Sequence, residues 1–150
     1  MDEISFRIYK LAVSGFCCSQ IMIIMALEEE ERENEDLVKA SHGLCGGINL
    51  KQKTCGCIIS GIQILGMYGG KGSEEEYCKE NFKVMMDEYM EWFEEKFEST
   101  DCIDLVGVQI IKDDEGNTTY PVKCGDIVKE CYLKIQQILY ENGYDFGDRE

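Results

Sequence analysis

The chain of 150 residues fits one domain, residues 1–150, with a core large enough to fold without disulfide staples. Its 30 acidic against 15 basic residues give a net charge of −15, which repels nucleic acid and excludes it as a partner. The start, Met1-Asp2-Glu3, is acidic and the best apolar run, Ile21 to Leu27, is far too short to cross a bilayer, so no membrane association is expected and the chain reads as cytoplasmic.

Helical periodicity runs through nearly every segment. Ile4, Ile8, Leu11 and Ala12 make one apolar stripe, and Cys18, Ile21, Met22, Met25 and Ala26 make a second at i, i+3, i+4, i+7, i+8. Ile23 and Ile24 fill the other side, so this second helix is expected to be buried almost all round until Glu28. A short helix over 35–41 ends near Gly43. Thr54 is a candidate N-cap for a helix from Cys55 to Gly66, in which Gly56, Cys57, Ser60 and Gly61 let a neighbouring backbone or a cofactor come close. After Gly69-Gly70-Lys71-Gly72 the longest helix is expected, with Cys78, Phe82, Met86, Tyr89, Phe93 and Phe97 on one apolar face.

Ser99, Thr100 and Asp101 are capping candidates for a short turn, Cys102 to Val106, stopped by Gly107. The stretch 108–120 reads as a loop or a short hairpin. From Pro121 a last helix carries Cys124, Ile127, Val128, Cys131, Ile135, Ile138 and Leu139 on one face. The sum is an all-α, single-domain bundle of about six helices. The acidic runs at Glu28 to Glu31 and Glu74 to Glu98 read as solvated faces.

Nine cysteines, an odd number, do not suit a secreted disulfide scaffold and leave thiols for metal or redox chemistry. Cys18, Cys55, Cys102 and Cys124 each follow a helix-start signal, where free N–H groups and the helix dipole favour thiolate. Cys45, Cys78 and Cys131 read as small core hydrophobes. Cys17 and Cys57 neighbour two of the four but point away on a helix, which makes them weak joint ligands and leaves them as resolving thiols where the backbone is not helical.

The chain resembles the C-GCAxxG-C-C family, a group named for redox activity and defined by four cysteines. The likeness rests on Gly15-Phe16-Cys17-Cys18-Ser19-Gln20, on Gly43-Leu44-Cys45-Gly46-Gly47-Ile48, on Cys55-Gly56 with Gly66 downstream, on Phe97 to Gly107 around Cys102, and on Cys124. It assigns the family cysteines to Cys18, Cys55, Cys102 and Cys124. Where the family has Cys-Gly-Ala-x-x-Gly, this chain has Cys57 for Ala and Ser60 for Gly. The resemblance implies a redox or metal role.

Four thiolates match the ligand count of an iron–sulfur cluster, [2Fe–2S] foremost, and the leading expectation is an electron-transfer protein with Cys18, Cys55, Cys102 and Cys124 as ligands. Zinc on the same four is the near variant. The first alternative is a thiol–disulfide oxidoreductase with Cys55 as catalytic nucleophile, and the second a helical scaffold with buried cysteines. The partner expected is a redox protein or small electron carrier, and the Met-rich and aromatic helices suit a homodimer interface as well as a core. His42, the only histidine, reads as an exposed helix end rather than a zinc ligand. Residues 66–73 fail the phosphate-loop pattern at Leu65 and Gly72, Asp145-Phe146-Gly147 lacks any kinase context, and the sequon at Asn117 goes unused in a cytosolic chain.

Overall fold

Segments with a 3.6-residue apolar repeat fold as helices in the computed structural model, which describes residues 2–106, 111–112, 118–119 and 122–149. The helices are α1 (Glu3–Val13), α2 (Cys18–Glu29), α3 (Glu35–His42), α4 (Gly56–Gly69), α5 (Phe82–Phe97), α6 (Cys102–Val106) and α7 (Val122–Glu141). The fold is all-α. The turn expected at Cys102 is the five-residue α6, which brings the described helices to seven.

Two-residue strands β1 (Ile111–Lys112) and β2 (Thr118–Thr119) pair antiparallel, Ile111 opposite Thr119 and Lys112 opposite Thr118, so the hairpin alternative holds there. The rest of 108–120 lies outside the described residues. So do Gly107 and Pro121, expected to stop α6 and to open α7.

Because Ile21, Met22, Ile23, Met25, Ala26 and Leu27 leave α2 no polar face, it sits centrally, packed by α1, α3, α4 and α7. The stripe of α1 buries Ile8 and Leu11, whereas Ala12 at its edge is exposed. Behind α2, α4 packs on α5 and α7. Where α5 packs on α7, Met85, Tyr89 and Phe93 of the one and Ile135, Ile138 and Leu139 of the other are fully buried in the core, each stabilising the fold by roughly 1.5–3 kcal/mol. Gly61 makes the α4–α5 contact close: a methyl there would run into the Tyr89 ring. The ring's hydroxyl donates to the carbonyl oxygen of Cys57 over 2.7 Å.

Two expectations fail around residue 78. The helix begins at Phe82, and Cys78 stands exposed in the irregular segment before it. The Glu76 carboxylate accepts from the backbone N–H groups of Gly72 and Ser73, and Lys79 donates its N–H to the Gly69 carbonyl over 2.8 Å. Those bonds hold 72–79 in a turn that a helix would break. The longest helix is therefore α7, with 20 residues, and not α5, with 16.

Residues 142–149 return to the bundle. Phe146 stacks on Tyr68 and meets Tyr132 edge-on, at ring distances of 6.0 and 5.5 Å, and Arg149 pairs with the buried Glu30 carboxylate at 2.8 Å. The Asp145-Phe146-Gly147 tripeptide is thus a packing element. Among the described residues no helix is long and apolar enough to cross a membrane.

Candidate functional site

After α3 the chain winds against its natural hand. Gly46, Gly47, Ile48, Asn49, Leu50 and Gln52 all have φ between 53° and 76°. Each non-glycine residue there costs about 1–2 kcal/mol. Backbone bonds from Asn49, Gln52 and Lys53 N–H groups to the carbonyls of Gly43, Gly46 and Gly47, 2.8 to 2.9 Å long, offset part of that cost. Gly47 is needed twice: its φ is 76°, and a Cβ would stand 2.7 Å from Cys102 Cβ. The end of this run is zipped to the start of α6, since Cys102 donates its N–H to Lys53 and Cys55 donates its own to Thr100, at 2.6 and 2.8 Å. Thr54, bridged to Asp101, does not cap α4; Cys55 is its N-cap.

These connections surround a narrow cavity of about 10 Å³ whose walls include Cys18, Cys55, Cys102 and Cys124 with Gly46, Gly47 and Gly56. Cys18 opens α2, Cys55 caps α4, Cys102 opens α6, and Cys124 lies in the first turn of α7. A Cβ on Gly56 would stand 3.1 Å from Cys18 Sγ, so the glycine leaves that sulfur its room. All four cysteines singled out in the sequence face one place.

A fifth wall thiol is Cys57, which helical geometry makes a weak joint ligand and non-helical backbone leaves as a resolving thiol. That geometry does not apply, because the Cys55 backbone, at φ −58° and ψ 131°, is not yet helical. Its signal in the sequence was the departure from the family motif at this position.

The thiols differ electrostatically. A hydrogen bond from Cys57, together with the backbone N–H groups of Cys57 and Ile58, draws Cys55 below the ordinary thiol pKa against the opposing effect of burial. Cys57 itself is pushed well up by its bonds to Cys131, Cys18 and Cys55 and by complete burial. Burial first, then the neighbouring Cys55 and Cys18, raise Cys102 to about 11. Cys124 is raised further, mainly by burial. The cavity therefore holds one thiol biased toward thiolate, Cys55, beside three that are biased toward the protonated form, Cys57, Cys102 and Cys124.

Of the remaining cysteines, Cys131 is fully buried, as expected of a core residue. Cys45 is not simple core: it forms a disulfide with Cys17, the N-cap of α2, across a Cα–Cα distance of 5.9 Å. The turn after Gly43 carries Cys45 back over the start of α2, and the extended Cys17 backbone aims its side chain there. His42 is the exposed end of α3.

Helix starts gathered round a cavity walled by cysteines define an all-α, cysteine-lined bundle. The family model described as "Putative redox-active protein (C_GCAxxG_C_C)" matches residues 16–138, and the chain belongs to that family, which supports a redox role. No curated protein and no solved structure matches the chain.

Proposed function

We propose that the protein transfers electrons through an iron–sulfur cluster, [2Fe–2S] foremost, held by Cys18, Cys55, Cys102 and Cys124. The observation that supports this reading is that all four thiols wall one glycine-lined cavity. An all-sulfur donor set suits a soft metal, and burial of Cys18, Cys55 and Cys102 keeps water from it. Cys18, Cys55 and Cys124 lie at the starts of the long helices α2, α4 and α7, whose unpaired N–H groups offset anionic charge. A cluster there would supply one-electron exchange with a redox protein or small carrier.

Among the described residues no group of three or more His, Cys, Asp or Glu stands arranged to hold an ion, and the thiols of Cys18 and Cys55 are instead hydrogen-bonded to Cys57. Ligation exchanges those bonds for metal and expels the protons that burial keeps on Cys102 and Cys124, so loading weakens as pH falls. Zinc on the same four ligands is the variant for a non-redox metal. The cytoplasm, where thiols stay reduced, is the compartment this chemistry fits.

The depressed pKa of Cys55 favours a second reading, a thiol–disulfide oxidoreductase with Cys55 as nucleophile. Cys55→Ser separates the two. With a cluster, the variant loses iron and colour; with a nucleophile, it leaves metal content unchanged and abolishes rapid iodoacetamide alkylation at mildly acidic pH.

A further inference from the structure

We propose that Cys17 and Cys45 form a second redox site, a reversible dithiol–disulfide pair whose opening by a dithiol reductant loosens the glycine turn over the cysteine cavity. It does not depend on what the cavity holds. The Cα–Cα distance of 5.9 Å suits the disulfide. The polar surroundings suit the dithiol. Ser19 Oγ lies 3.4 Å from Cys17 Sγ and 3.0 Å from Cys45 Sγ, while its own proton is donated to the Ser41 carbonyl oxygen at 2.8 Å. With that proton committed, Ser19 offers the two sulfurs only lone pairs, which serve a sulfur that carries hydrogen. Gln20 Oε1, 3.6 Å from Cys17 Sγ, is a further acceptor. A site that accommodates both oxidation states is built for reversal rather than for a permanent staple.

One thiolate of the reductant attacks Cys45 Sγ and breaks the Cys17–Cys45 bond, and Cys17 departs as a thiolate at the N-cap of α2, where the helix start stabilises it. Cys17 takes up a proton. The reductant's second thiol then displaces Cys45, leaving the reductant as a disulfide and both cysteines as thiols, two electrons and two protons richer. In a reducing compartment a disulfide that cycles in this way is the kind that persists.

The pair also has mechanical reach. Cys17 adjoins Cys18, Cys45 adjoins Gly46, and both neighbours wall the cavity. The bond thus fastens the start of α2 to the residue just before the left-handed run, which begins at Gly46 and Gly47 and holds the strained positions Ile48, Asn49, Leu50 and Gln52. Once cut, nothing covalent opposes relaxation of that run, and Gly46 and Gly47 come away from the cavity.

The test labels the full chain with a maleimide in denaturant and follows hydrogen exchange of its folded form. Air-prepared protein should take up seven labels and dithiothreitol-treated protein nine, with peptide mapping assigning the difference to Cys17 and Cys45, and reoxidation restoring seven. Reduction should speed amide exchange over residues 44–53 by about tenfold while leaving α5 unchanged. Cys17→Ala/Cys45→Ala, checked for unchanged circular dichroism, should show the fast exchange under either condition. Nine labels without reductant, or a disulfide mapped to another pair, would overturn the redox site. Equal exchange over 44–53 in the two states would overturn the loosening.

Discussion

Ser60 of α4 donates its hydroxyl proton to the carbonyl oxygen of Ser19 in α2 over 2.9 Å, tying together the two helices whose starts carry Cys55 and Cys18. The family motif has glycine at this position, so the departure is a gain in helix propensity and one buried hydrogen bond. Ser60→Gly should lower stability by about 1.5 kcal/mol, about 1 from the bond and about 0.5 from the flexible residue. An unfolding free energy from urea titration lowered by less than a quarter of that amount would show that the bond contributes little.

Gly61→Ala should be more damaging than its chemistry suggests. The added methyl meets the fully buried Tyr89 ring, whose hydroxyl is already held by the Cys57 carbonyl, so the ring cannot retreat without losing that bond. An overpacking cost of about 1–3 kcal/mol is expected, and Gly61→Ala combined with Tyr89→Leu should recover part of it. No recovery in the double variant would mean that the ring is not the obstacle.

How much of this was legible in the sequence follows from the range of the interactions. The faces of α2 and α7 are local patterns, and the four helix-start cysteines follow from capping chemistry, so both were readable. The Cys17–Cys45 pair was not. It lies beside a left-handed run at Ile48, Asn49, Leu50 and Gln52, where Ile and Leu give no sign of that backbone, and which backbone bonds within the turn and the tie to the start of α6 sustain together. Cys78 was misplaced for a related reason: the apolar repeat of α5 extends back on paper, but a side-chain bond from Glu76 to backbone ends the helix at Phe82. Cys57 is only half legible: the sequence leaves its role to whether the backbone at Cys55 is helical, and that is settled by the cap of α4.

Alkaline pH should report on the cavity. Burial raises the folded Cys102 pKa to about 11 from 9.0, so its contribution to stability is fully present below pH 9.0 and is lost as pH rises toward 11, where the unfolded chain ionises this thiol first. In metal-free protein the Tm of the wild type should fall more steeply over that interval than the Tm of Cys102→Ala. Parallel curves would contradict the burial assigned to this thiol.

Arg149 near the end of the chain should matter as much as a core residue. It pairs at 2.8 Å with Glu30, whose side chain is 2% exposed, while Arg32 approaches the same carboxylate only to 3.6 Å. Arg149→Ala leaves that carboxylate nearly unpaired and should cost about 1–3 kcal/mol; Glu30→Gln in the same background should return much of it. Thermal unfolding of the two variants decides the matter, and an unchanged Tm for Arg149→Ala would show the tail to be dispensable.

The most direct measurement is the iron and sulfide content of anaerobically prepared protein, read beside its ultraviolet-visible spectrum. The account predicts iron and sulfide in equal amounts with visible charge-transfer bands, lost on changing Cys18, Cys55, Cys102 or Cys124 to Ser and retained in Cys131→Ala, which should lose only about 1 kcal/mol of core packing. Colourless wild-type protein that stays iron-free after reconstitution with iron and sulfide, and that is alkylated rapidly at Cys55, would contradict it.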